Sequence, residues 1–192
     1  SSHQARRVSL GPMTQRTRDV ELPSGACITL RGAQLAELDL IVNSGKSAGK
    51  GGKAKGKGVT LEDSLTRVLQ ACTVAVKDSG PYVGGFTWSK AVVADRMWGT
   101  YQLRVATFGL IFDMPYTCQG CGEKFEAPIN LGTPEEEGDL QVAPLPQPSR
   151  EAVCKGEPVS GELPNGDRVL IKLLTTAEST RAMRIVESMP DE

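Results

Sequence analysis

Histidine is almost absent from this chain: His3 is the only one in 192 residues, so a serine or cysteine nucleophile would have no credible imidazole base. Cysteine is scarce as well. Five are present (Cys27, Cys72, Cys118, Cys121 and Cys154), an odd number with one close pair, which argues against a disulfide framework and for a reducing compartment. Aromatic residues make up 5% and the formal net charge is -1, so there is no general electrostatic or stacking reason to bind nucleic acid. No apolar run approaches the roughly 18 residues that signal a membrane-spanning helix, and the polar, basic start lacks the apolar core of a signal peptide. These absences lead us to expect a soluble, non-enzymatic protein in the cytoplasm of the cell that makes it.

One thing the sequence does contain is written twice. "ELPSGACITLRGAQLAEL" from Glu21 aligns without a gap on "ELPNGDRVLIKLLTTAES" from Glu162, with six of eighteen positions identical. Each copy reads as a turn, an alternating strand and a helix start, because Pro presets φ for a turn and Gly accepts φ > 0. Two similar β elements flanking central helices would follow, each offering a strand edge to a partner.

The rest of the chain divides by composition. Residues 1–19 hold Arg6, Arg7, Arg16 and Arg18 with little hydrophobic periodicity and read as a flexible arm. An α+β body over 20–131 follows, interrupted at 43–58 by "NSGKSAGKGGKAKGKG", a lysine-glycine loop with almost nothing to bury. This loop imitates a phosphate-binding loop, but no apolar strand feeds it and no helix begins in it. Thr60 is an N-cap candidate with Asp63 three residues on; Leu61, Leu65, Val68, Leu69, Cys72 and Val76 then give one helical face. After the connection "DSGPYVGGFTWS", a second helix from about Asp95 carries Met97, Trp98, Tyr101, Val105 and Phe108 as an expected core stripe and ends at Gly109. Residues 132–150 are acidic and proline-rich and read as an irregular connection whose Glu135, Glu136 and Glu137 form a solvated charge run. Residues 151–192 complete the chain with the second turn and strand and a helix headed by a Thr175/Glu178 capping box. The fold class expected is α+β: central helices, two small β elements and a CxxC knuckle.

That knuckle, Cys118-Gln119-Gly120-Cys121-Gly122 within 110–131, carries the most specific chemistry. Two thiolates two residues apart can reach one tetrahedral zinc, which makes the segment half of a zinc ribbon. A third ligand is expected from Cys154, which opens the returning β segment, and the fourth from Cys27, Cys72 or a partner chain's thiol. A metal-free turn and a redox pair are the alternative readings of the same five residues.

Taken in order, "ELPSGACITLRG", the lysine-glycine loop, "LQAC", "ADRMWGTYQLRVATFG", "YTCQGCGEKFEAPINL" and "GELPNGDRVLIKLLTTAEST" resemble the hub-assembly (baseplate) protein family of contractile phage tails of the T-even type, over about residues 20–186. The resemblance implies a non-enzymatic protein of the host or producing cell that helps assemble a baseplate hub, or remains in the virion baseplate, by binding hub or tail proteins. The competing expectation is a zinc-ribbon-like nucleic-acid-associated protein, suggested by the CxxC pair, the lysine loop and the arginine arm.

Overall fold

The computed structural model describes residues 17–44, 60–138 and 140–187. Most of the arm and the lysine-glycine loop therefore lie outside the described residues. The last three arm residues belong to the fold instead: Thr17–Glu21 is strand β1, which pairs antiparallel with β2, Cys27–Arg31. The turn between them is set by the Leu22-Pro23-Ser24-Gly25 sequence, with Gly25 at φ 95° and donating to the Leu22 carbonyl at 2.7 Å. Strand alternation then sends Val20, Leu22, Ile28 and Leu30 inward, where all four are buried.

Helix α1, Leu35–Ser44, follows as expected, laying Leu38 and Ile41 against the core. Helix α2, Leu61–Cys72, opens on the expected capping box: Asp63 N donates to Thr60 Oγ1 at 3.1 Å and the Asp63 carboxylate accepts from Thr60 N. Its inward face is Ser64, Val68, Leu69 and Cys72. The expected continuation through Val76 is wrong: the chain turns straight into strand β3, Thr73–Asp78, which pairs with β2 and completes a three-stranded antiparallel sheet in the order β1-β2-β3. Val76 is exposed on this edge strand, and Leu61 is exposed as well.

The glycine-rich connection after β3 supplies the centre of the core. Tyr82, Phe86 and Trp88 are buried and meet edge to face, with ring centroids 5.4 and 5.1 Å apart. Trp88 is fully buried and donates from Nε1 to Thr73 Oγ1 at 2.8 Å. Helix α3, Val93–Phe108, crosses beneath it at Gly99, where any Cβ would overlap the Trp88 ring, so only glycine fits. The helix ends at Gly109 with φ 91°, as its position in the sequence implies.

Strands β4, Ile111–Thr117, and β5, Lys124–Asn130, form a separate two-stranded hairpin with the CxxC segment at its tip. The acidic, proline-rich stretch that follows is anchored rather than merely irregular. A 3-10 turn at Pro134–Glu136 presents Glu136 to Arg18 at 2.5 Å, and Leu145 N donates to Pro23 O at 2.8 Å. Helix α4, Gln147–Lys155, begins before the connection was expected to end. The β6-β7 hairpin, Val159–Glu162 with Arg168–Ile171, and helix α5, Thr176–Glu187, complete the described chain. Helix α5 is tied to the body by Thr176 N and Oγ1, which donate to Ala91 O at 2.7 and 3.0 Å. The expected α+β class stands as a set of small antiparallel sheets around helices.

Candidate interaction site

The charged residues at the front of α3 are structural. Asp95 is fully buried; it accepts from Ser24 N at 2.9 Å and from Tyr82 Oη at 2.5 Å, while Tyr82 Oη accepts from Val92 N at 3.0 Å. Burial holds its carboxyl above the usual range against those hydrogen bonds. It does not cap α3, whose N-cap is Val92; it fastens the first turn and the aromatic connection to the helix. Arg96, also buried, pairs with Glu62 of α2. Both residues are therefore used up inside the protein, whereas Arg104 lies over the Phe108 and Phe112 rings at 5.7 and 4.5 Å from their centroids.

Helix α3 turns a different side inward from the one its apolar residues mark. At 100° per residue, Met97, Tyr101 and Phe108 cluster on one stripe. The buried arc runs through Trp98, Val105, Gln102, Asp95, Gly99, Leu103 and Arg96 and is centred well over a quarter turn away, on small and polar residues. Trp98 and Val105 take core positions as expected, whereas Met97, Tyr101 and Phe108 are exposed, Phe108 at 60%.

That exposed stripe runs on into the hairpin. In an antiparallel pair, directly opposed residues share a face. The pairs Phe112 with Ile129, Met114 with Ala127 and Tyr116 with Phe125 therefore make one wholly apolar side, and the other, mixed side carries Ile111, Asp113, Pro115, Thr117, Lys124, Glu126, Pro128 and Asn130. Tyr116 and Phe125 stack at 5.7 Å. Phe112, Met114, Tyr116 and Phe125 are nonetheless all exposed. With Arg104 bridging Phe108 to Phe112, α3 and β4-β5 present one connected aromatic and aliphatic surface. Contiguous apolar surface of this kind, rimmed by polar groups, marks interaction sites. The signal is present in the sequence as the strict alternation of residues 112–117 and 124–129; without a partner helix in view, it does not say that the apolar side faces outward.

At the tip, Cys118 N donates to Glu123 O at 2.8 Å and Gly122 N donates back to Cys118 O at 2.9 Å, with Gly122 at φ 74°. The Cys121 and Gly120 amides are directed at the Cys118 sulfur and hold its thiol below the usual range. Cys118 and Cys121 therefore both lie in the turn at the hairpin tip. Cys154 does not join them. It sits on α4 and lines a groove of about 520 Å³ with Tyr82, Lys90, Val92, Lys172 and Glu178, and among the described residues no group of three or more potential ligands is placed to hold a metal ion. A helix begins after Pro146 where a returning strand was expected, and Cys154 lies on it. Cys72 is the buried core residue its spacing suggested, its thiol pushed up to about 11 chiefly by burial, and Cys27 lies on β2.

Of the three acids expected as a solvated run, Glu135 and Glu137 are exposed, but Glu136 is held down to about 2, mainly by the Arg18 guanidinium. No helix among the described residues is long and apolar enough to cross a membrane. Comparison with protein-family models, curated proteins and solved structures finds no significant match to the chain.

Proposed function

We propose that this protein is a non-enzymatic assembly factor, or minor structural component, of the baseplate hub of a contractile phage tail or of a phage-derived injection device, acting by protein-protein binding in the producing cell. The observation that carries the binding role is the connected apolar surface formed by Met97, Tyr101 and Phe108 of α3 with Phe112, Met114, Tyr116 and Phe125 of the hairpin. A chain does not leave this many aromatics uncovered on one side unless something else covers them. The ordered sequence resemblance supplies the setting, and hub or tail proteins are the partners it implies. The charged interior is consumed in fastening elements together: Arg96 with Glu62, Arg18 with Glu136, and Asp95 with Ser24 and Tyr82.

The test is quantitative mass spectrometry of the chain in purified particles against unassembled lysate, for the parent and for the double variant Phe112→Ser/Phe125→Ser. Fixed, small stoichiometry with hub proteins makes it a baseplate part; presence in lysate complexes but not in particles makes it an assembly chaperone. In either case the double variant loses its partner at least tenfold with its melting temperature unchanged. An absence of tail proteins from both fractions, together with salt-dependent binding to DNA or RNA, would instead favour the zinc-ribbon-like nucleic-acid reading.

A further inference from the structure

A tetrahedral zinc requires four donors, and the hairpin tip holds two of them in position. Both sulfurs are accessible, Cys121 being exposed and Cys118 partly so. The turn between them is closed by Cys118 N donating to Glu123 O at 2.8 Å and Gly122 N donating to Cys118 O at 2.9 Å, with Gly122 at φ 74°, so the backbone that carries both sulfurs is fixed.

The remaining donors do not come from the described part of this chain. Cys72 is sealed in the core with its thiol against Glu37, Cys27 lies on β2, Cys154 lies on α4, and no third ligand among the described residues stands with the pair. The tip itself ends a ribbon whose two strands pair with each other and with no other described strand, and Gln119, Gly120, Cys121 and Gly122 are exposed there, open to another molecule. An identical tip brought up by a two-fold axis would offer two more thiolates in the same geometry, and isologous pairing of this sort closes after two copies.

We infer that Cys118 and Cys121 form half of a tetrahedral thiolate site for zinc, completed by the same two cysteines of a second copy of this chain, so that the metal joins two hairpins tip to tip. Each of the four thiols gives up a proton to solvent as the metal binds, and binding tightens as pH rises. The apolar sides of the two hairpins remain outside the joint, so the metal link forms whether or not the protein serves a baseplate hub.

The experiment uses the full chain, kept reduced by a phosphine, titrated with cobalt(II) as a spectroscopic stand-in for zinc and followed by absorption and light scattering. The expected result is saturation at one metal per two chains, sulfur-to-cobalt charge-transfer bands with the intense visible bands of a tetrahedral site, and a doubling of mass that a chelator reverses. Cys118→Ser and Cys121→Ser, at the exposed tip, should each abolish the bands and the dimer, while Cys154→Ser should leave both intact. Saturation at one metal per chain without a change of mass would overturn the inference and place the other ligands within the chain. Absence of thiolate bands, or a dimer indifferent to the chelator, would overturn it equally.

Discussion

The two copies of the ELPxG unit fold alike and are treated oppositely by the rest of the molecule. In each, the Leu amide donates to a carbonyl four residues on (Leu22 to Ala26 at 2.8 Å, Leu163 to Asp167 at 2.9 Å), and Gly donates back to that Leu (2.7 and 2.8 Å) with φ of 95° and 86°. Further along, Arg31 grips Glu37, which also accepts from Gln34 N; at the matching places Lys172 grips Glu178, which accepts from Thr175 N. So the expected pseudo-equivalence holds at the level of turn, hairpin, basic strand end and capped helix, although the two hairpins lie in separate sheets. What differs is the cover. Leu22, Ile28 and Leu30 of the first copy lie beneath α2, α3 and Trp88, while their counterparts Leu163 and Ile171 are exposed and Val169 is half-buried. Local sequence writes the shape of such a unit, and distant sequence decides whether it becomes core.

The sharpest way to break that comparison is a matched pair of truncations. Leu22, 2% exposed, and Leu163, 44% exposed, occupy the same place in the same turn. Leu22→Ala should cost about 2–5 kcal/mol of stability by chemical denaturation, and Leu163→Ala about 0.5 kcal/mol or less. Equal losses would mean that the second hairpin is covered in solution. Next in size is Gly99→Ala, which drives a methyl into the Trp88 ring above the first copy and should cost about 1–3 kcal/mol, visible as a lowered melting temperature and altered tryptophan fluorescence. A variant as stable as the parent would show that Trp88 can move aside.

The smallest effect separates the two carboxylates. Glu37 and Glu178 are both held down from 4.5 to about 2, by Arg31 and Lys172 respectively. A depressed carboxyl stabilises the fold above its unfolded value and loses that contribution as pH falls, so the window runs from about pH 4.5 down toward 2. Glu37→Gln should flatten the acid limb of the stability curve by about 1 kcal/mol, because its pair with Arg31 is largely shielded. Glu178→Gln should do less, and in a salt-dependent way, because Lys172 is half exposed. Identical acid limbs for the two variants would erase the distinction.

What is legible in the sequence is local. Thr60 with Asp63, Thr175 with Glu178, Gly109 and both ELPxG turns are instructions spelled within five residues, and each forms where its residues stand. Where several elements compete, local pattern misleads. Val76 satisfies a helical period, but the Cys72–Thr73 junction is decided by pairing with β2, a partner more than forty residues away in sequence. Tyr82, Phe86 and Trp88 have no periodicity and sit among glycines, so nothing local marks them as the centre of the core. On α3, the bulk of Met97, Tyr101 and Phe108 points to the wrong side because the inner face is built on Gly99, which makes room for Trp88, on the hydrogen-bonded Asp95, and on Gln102, whose Oε1 accepts from Arg18 Nε. Half of the candidate site, the CxxC pair, is therefore visible in the sequence, whereas the apolar surface leading to it reads there only as core.

The β4-β5 ribbon also works as a ruler. Seven residues per strand at about 3.3 Å each carry the tip roughly 20 Å beyond the residues that root it in α3. Two chains joined at their tips would thus hold their bodies roughly 40 Å apart, with both aromatic sides displayed along the intervening span. Lengthening or shortening the strands by two residues at a time would keep the alternation of faces and change only that distance.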